Sequence, residues 1–435
     1  MLSWFNRLIE KKYMQNLKVK FMQSFIARSF KYLRFIILRL LSNPHPHINI
    51  KLKHIENIAM LSNGSNATFF GYHDKTPFSA DGLKILAMAA AVNDAQVKSE
   101  CKTIELGYFA KNDSGEFIND FIPFAETNTW CWQQGCMLQW HPKNPECEVV
   151  FNKLVEGNYG SVVFNVNKGE MVRQYKAPIY SLDPKGHFAT TLDFYRLGYL
   201  RPGYGYLSLP NENIRWNSPE NDGLYILNLH TGEKNLLVSF NSLAADLMIS
   251  GYKHYVNHAN FSPAGDRLIF FHLWTNMQER GLRVLIINPL TGRYNVLEDE
   301  RIVSHYCWKD NNTILATSRD ERGSWHYSFY DLKTGKRNDL DLPLNIDGHP
   351  MFHPHNKDIF VTDTYPDARR EQHLYLVNIS DNKVTEIGSF FSPYKYRGQV
   401  RCDLHPRWDR DGKYIAVDSP NGSMRKISIL KVDII

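Results

Sequence analysis

The sequence predicts an all-β fold, a seven-bladed β-propeller preceded by a basic helical extension at the N-terminus. Three observations carry the prediction. A turn-plus-strand signature returns seven times, each copy leads into a second alternating strand that ends in a tight turn, and the composition is rich in both turn formers and aromatics. With 26 Gly, 20 Pro and 13% aromatic residues, the chain favours many short strands joined by turns. Its 43% hydrophobic and 22% charged content excludes a disordered or coiled-coil chain.

The copies follow in order. Each reads aromatic or apolar, a Pro or polar turn, Gly or Asn, then a hydrophobic strand. They are Pro77–Met88, Gln139–Phe151, Tyr180–Leu192, Asn260–His272, Tyr306–Thr317, Met351–Thr362 and Pro406–Asp418. The second signature is clear at Gly223–Glu233, Arg283–Arg293 and His326–Lys336, and looser at His373–Lys383. Thr-Gly and Asp-Gly supply the positive φ of hairpin turns. A spacing of roughly 40–80 residues fits four-stranded blades with insertions. The last copy runs out of chain before an outer strand. His54–Leu61 is expected to supply that strand and close the ring, which removes the exposed sheet edges. The organisation expected is a tail over residues 1–50 and one propeller over 51–435.

Charge separates the two parts. Residues 1–43 hold nine Lys/Arg against Glu10, a net +8, which leaves −2 for the rest of a chain whose total is +6. The body is therefore no nucleic-acid binder. In the tail, Phe21, Phe25, Phe30, Leu33, Ile36, Ile37 and Leu40 recur near helical spacing between Lys31, Arg34 and Arg39. Such a helix lies in a membrane interface or packs on the body or a partner. No apolar run approaches the ~18 residues of a membrane span. The six cysteines are scattered without a CxxC pair and read as free thiols of a reducing compartment. The expected location is the cytoplasm, with residues 1–43 touching a membrane surface.

Propellers bind ligands where loops of several blades converge at the mouth of the channel. Four segments precede turns or fill an insertion: Gly71–Lys75 with His73, Thr129–Gly135 with Gln134, Asp193–Tyr206 with Arg196, Arg201 and Tyr204, and Tyr255–His258. Chain order sets Tyr180, Arg196 and His258 on neighbouring blades. Arg196 is suited to grip a carboxylate bidentately, and His258 to accept a proton near neutral pH. Tyr180 needs Arg196 beside it to act as a base. Late in the chain, His349, Asp363, Cys402 and His405 fall on adjacent blades six and seven. Together they offer the nitrogen, oxygen and sulfur donors that Zn²⁺ accepts. His353 and His355 are an alternative metal pair, and turn capping is a further role for these imidazoles.

The SPDG-like turns resemble those of TolB-type propellers. More closely, Gly71–Lys75, Trp132–Trp140, Arg201–Tyr206, Asn257–Pro263 and Cys402–Trp408 resemble segments of the seven-bladed polysaccharide lyases, the ulvan lyases and, more distantly, the oligogalacturonate lyases. The resemblance spans about residues 65–425. It implies β-elimination on an acidic, uronate-containing oligo- or polysaccharide. Arg196 would then neutralise the carboxylate, and Tyr180 and His258 would share base and acid work. His73, Gln134, Arg201 and Tyr204 would line the sugar site. It further implies a structural zinc on His349, Cys402 and His405 in the ulvan manner, or Mn or Ca on histidines in the other. The alternative is a non-catalytic propeller that binds glycan or protein.

Overall fold

The computed structural model describes residues 31–34, 36–37, 50–53, 55–64, 66–91, 102–276, 278–421 and 424–432. Seven antiparallel sheets follow one another along the chain, numbered here as blades 1 to 7. Their innermost strands are Ala67–Phe69, Gln139–Trp140, Ser181–Leu182, Lys253–Phe261, Ile302–Trp308, Met351–Phe352 and Arg407–Trp408. In blades 2 to 7 each predicted signature spans the end of an inner strand, the turn after it and the second strand; in blade 1 it begins at the bridge Phe78–Ile85, beyond the inner strand.

Closure is as expected. Glu56–Leu61 pairs antiparallel with Met424–Lys431 as the outer strand of blade 7. Ile50–Leu52 adds a fifth strand to blade 6, pairing with Lys383–Phe391, which the sequence reading did not foresee. Residues 31–34 and 36–37 are helical, and Tyr32 meets Tyr394 with ring centroids 5.2 Å apart. The rest of the predicted tail helix lies outside the described residues. No described helix is long and apolar enough to cross a membrane.

The turns explain why the repeat is readable. After the inner strand, Asp183 and Asp409 accept successive backbone N–H groups, His187 and Phe188 in one case, Lys413 and Tyr414 in the other. Gly265 and Gly412 hold φ of 76° and 74°, where a β-carbon is strained. In the second signature, Asn228, Asn288 and Asp331 each cap two following N–H groups. Apolar strand faces such as Leu268–Phe271 and Ile415–Val417 are buried between neighbouring blades.

This topology gives the channel two ends. Inner strands begin at one end, where the loops from second to third strands also emerge. The insertion 193–222 of blade 3, with its helix α1 (Phe194–Leu200), belongs to that end. Inner strands finish at the other end, at the capped turns.

Candidate functional site

One repeat position organises the site. His258, His305, His349 and His405 each stand three residues before the aromatic that ends the inner strand, namely Phe261, Trp308, Phe352 and Trp408. Blades 4 to 7 thus aim four imidazoles at the axis. The His305 and His349 rings lie 3.8 Å apart, and those of His349 and His405 4.4 Å apart. Tyr72 of blade 1 fills the centre, with its ring 4.9 Å from both His258 and His405. His258 and His405 have φ of 52° and 45°, and the strand of His258 bulges between Asn257 and Asn260. A bulge of this kind re-aims a side chain, and its strain is held by the surrounding sheet.

The proton positions of these rings follow from their outer partners. His349 Nδ1 lies 2.7 Å from Asp363 Oδ1, and His405 Nδ1 lies 2.7 Å from the Gly71 carbonyl. Both Nε2 atoms are left as lone-pair donors. They are buried and have no hydrogen-bond partner among the described residues, and the same holds for Asp403 Oδ1. Ligand atoms of His349, His405 and Asp403 all lie within 4.8 Å of one another. Burial pushes both imidazoles well below the usual histidine range, with His305 beside His349 and His349 beside His405 adding to the shift. They are neutral near pH 7, as metal ligands must be. Two imidazole nitrogens and a carboxylate oxygen are a coherent donor set for a divalent transition metal.

Two predicted ligands are corrected. Asp363 stands behind the cluster: it holds the His349 ring and accepts the backbone N–H of His349 (2.9 Å) and of His405 (3.0 Å). Burial raises its carboxyl to about 7. Cys402 is buried against Tyr396, and desolvation lifts its thiol to about 12. Asp403 and His405 bring ligand atoms to the cluster, whereas Cys402 packs with Tyr396 and contributes none. The zinc expected from a thiolate donor therefore loses its sulfur. The alternative pair is structural: His353 Nε2 lies 3.2 Å from the Gly412 carbonyl, and its Nδ1 accepts the N–H groups of His355 and Asn356.

Tyr180, His258 and Gln134 meet. Gln134 Nε2 donates to Tyr180 Oη (2.6 Å), as does the His258 backbone N–H (3.1 Å). The remaining neighbour of that oxygen is His258 Nδ1, at 3.4 Å. Burial holds the phenol well above its usual range and the imidazole well below, so both are neutral. The expected activation of Tyr180 by Arg196 is absent. Arg196 is buried, and its guanidinium is consumed by the carbonyls of His254, Asn213, Trp216 and Asn217. It anchors α1 and its loop to blade 4.

His73 lies beside the ring, 5.2 Å from His349, with Nδ1 unpartnered among the described residues. Over the cluster, the Arg201 guanidinium lies 4.1 Å from the Tyr204 ring. Arg401 donates to Tyr204 Oη (2.5 Å) and to Asp403 Oδ2 (2.6 Å). Its guanidinium also faces Tyr365, at 5.7 Å. Sequence reasoning passed over Tyr72, His305, Tyr365, Arg401 and Asp403. For His305 the repeat position before Trp308 was a usable signal, and for Asp403 its place in the same pre-turn segment as His405 was. Tyr72 lies inside the pre-turn segment Gly71–Lys75, while Tyr365 carried no signal.

The fold and this axial cluster define a class: a seven-bladed propeller with a buried imidazole–carboxylate site on its axis. No protein-family model matches the chain, and no curated protein is similar to it. Among solved structures it is similar to an oligogalacturonate lyase in complex with manganese. The TM-score is 0.62 at 13% identity, over 89% of this chain and 97% of that one. It is also similar to an oligogalacturonate lyase from Vibrio parahaemolyticus, with a TM-score of 0.59 at 11% identity, over 88% and 97%. At these identities the likeness is one of fold.

Proposed function

We propose that the protein holds a divalent metal ion on His349, His405 and Asp403 and cleaves a uronate-containing oligosaccharide by β-elimination. The observation that carries the reading is the set of three buried, unpartnered donor atoms. Their desolvation is costly unless a ligand satisfies them. The manganese in a structurally similar lyase supports a Mn-like ion, and two imidazoles disfavour calcium, which prefers oxygen. Bound there, the ion would supply positive charge for a substrate carboxylate and the enolate that develops from it.

The chain's own groups do the rest. Arg401 and Arg201 orient the carboxylate from above. A neutral imidazole, that of His258, takes the C5 proton. The C4–O bond breaks as the C4–C5 double bond forms, and the protonated phenol of Tyr180 gives its proton to the leaving oxygen. The cytoplasmic location and the membrane contact of residues 1–43 belong to the same proposal, supported by the tail's charge pattern alone. The test is incubation of Mn-loaded protein with oligogalacturonate and other uronate glycans, following absorbance of the unsaturated uronate. Absorbance that rises and is lost in Arg401→Ala and His258→Ala supports elimination. Tight binding with no absorbance change favours the non-catalytic propeller.

A further inference from the structure

The opposite end of the channel holds a cavity of about 470 Å³, a size typical of small-molecule sites. All seven blades contribute to its wall, through residues at the finishing ends of the inner strands. In blades 4 to 7 these follow the histidines by one to eight positions, which carries the wall past the histidines along the axis. His73 belongs to the wall as well as lying beside His349, so the two sites sit back to back.

The wall is aromatic within and basic at the rim. Trp308 and Trp408 line it, and Trp308 carries a buried indole N–H with no hydrogen-bond partner among the described residues. Lys357 and Arg410 stand in the lining with no ion pair among the described residues, and the ammonium of Lys357 donates to the His353 carbonyl (3.2 Å). The acids of the lining are partly engaged, although Asp74 Oδ1 is buried with no partner among the described residues. Asp74 pairs with Lys75 (2.9 Å), and Asp409 caps the Lys413 and Tyr414 N–H groups. Two free cations, an unspent donor and flat apolar rings match an anion carried on a ring.

We propose that this end of the channel is a second binding site, for a small six-membered-ring carboxylate. Lys357 and Arg410 take the carboxylate, and the ring lies against the Trp308 and Trp408 faces. The inference does not rest on the elimination reading, since no group of that reaction takes part.

Calorimetric titration with galacturonate, benzoate and galactose tests it, on the full chain treated with chelator. We expect galacturonate or benzoate to bind and galactose not to. Which acid wins tells a sugar acid from an aryl acid. Lys357→Ala and Arg410→Ala should each weaken binding about tenfold, the scale of one charge-assisted hydrogen bond. His349→Ala should leave it unchanged. The proposal is overturned if neither acid binds, if galactose binds as well as galacturonate, if the rim variants bind normally, or if His349→Ala abolishes binding.

Discussion

Blades 4 to 7 and blades 1 to 3 present the same backbone position to the axis and use it differently. In blades 4 to 7 the residue three before the end of the inner strand is His258, His305, His349 or His405. In blades 2 and 3 it is Met137 and Ile179; in blade 1, whose inner strand ends early at Phe69, Lys75 stands three before Phe78, which bridges Ile85. Met137 even shares the left-handed backbone of His258 and His405, with φ of 57°. Met137 and Ile179 are packing: both are buried in hydrophobic clusters. Lys75 pairs with Asp74. The left-handed bend thus recurs at this position in blades 2, 4 and 7, and the chemistry depends on which residue type occupies it.

The comparison breaks most sharply on metal content. His349→Ala, His405→Ala and Asp403→Asn should each reduce bound Mn by elemental analysis at least 100-fold in affinity, on the order expected for loss of a direct ligand. Cys402→Ser should retain full occupancy. Asp363→Asn, acting only through the His349 ring, should cost about tenfold. A Cys402 variant that loses its metal would restore the thiolate reading and remove the asymmetry between the two halves.

Stability should sort the other way. Ile179 is fully buried, so Ile179→Ala should destabilise the propeller by about 3 kcal/mol in urea unfolding. Its metal stoichiometry should be unchanged. A loss of metal in this variant would mean that the two halves are not independent.

Acid tests a pair outside both sites. His254 Nδ1 and His272 Nε2 lie 2.9 Å apart inside blade 4, and the Arg283 Nε–H donates to His272 Nδ1 (3.1 Å). Burial, with Arg196 and Arg283 nearby, lowers His254 to about 4, and burial lowers His272 well below its usual range. Because the folded pKa lies below the unfolded value, the unfolded chain binds more protons as pH falls. Stability is therefore full above about pH 6.5 and is lost progressively toward pH 4. Thermal melts of metal-free protein across that range should show the fall, and His254→Gln/His272→Gln should flatten part of it. An unchanged slope in the double variant would assign the acid sensitivity to the axial histidines instead.

The smallest effect belongs to Tyr72. Its hydroxyl is buried without a partner among the described residues. Tyr72→Phe should change stability by no more than about 1 kcal/mol, in the stabilising direction, because a desolvated hydroxyl is removed. A marked loss would show that the phenol is held by contacts that the apolar ring cannot replace.

Much of this molecule was readable in advance because its information is local. The turn residues Asp183, Gly265, Asn288 and Gly412 act on neighbours within five positions, so they repeat visibly along the chain. The count of blades and the closing strand Glu56–Leu61 follow from them. His349, His405, Tyr180, His258 and Gln134 were also within reach, as polar residues just before turns. Arg196 misled because an arginine in a polar insertion looks the same whether it meets a substrate or four carbonyls. Cys402 misled because a thiol draws attention, while the packing that turns it away from the axis, against Tyr396, is made by the fold.

By itself, then, the sequence determined the repeat, its turns, the all-β class and the residues presented to the axis. These rest on backbone conformations that each residue and its near neighbours impose. Tertiary structure alone decided which axial side chains share a site. Tyr72 reaches His258 and His405, and Arg401 reaches Tyr204, across separations of 186, 333 and 197 residues. It also decided which nitrogens remain unspent. Whether His349 Nε2 is a free donor depends on Asp363 holding the other nitrogen and on the closed ring of blades excluding water from both.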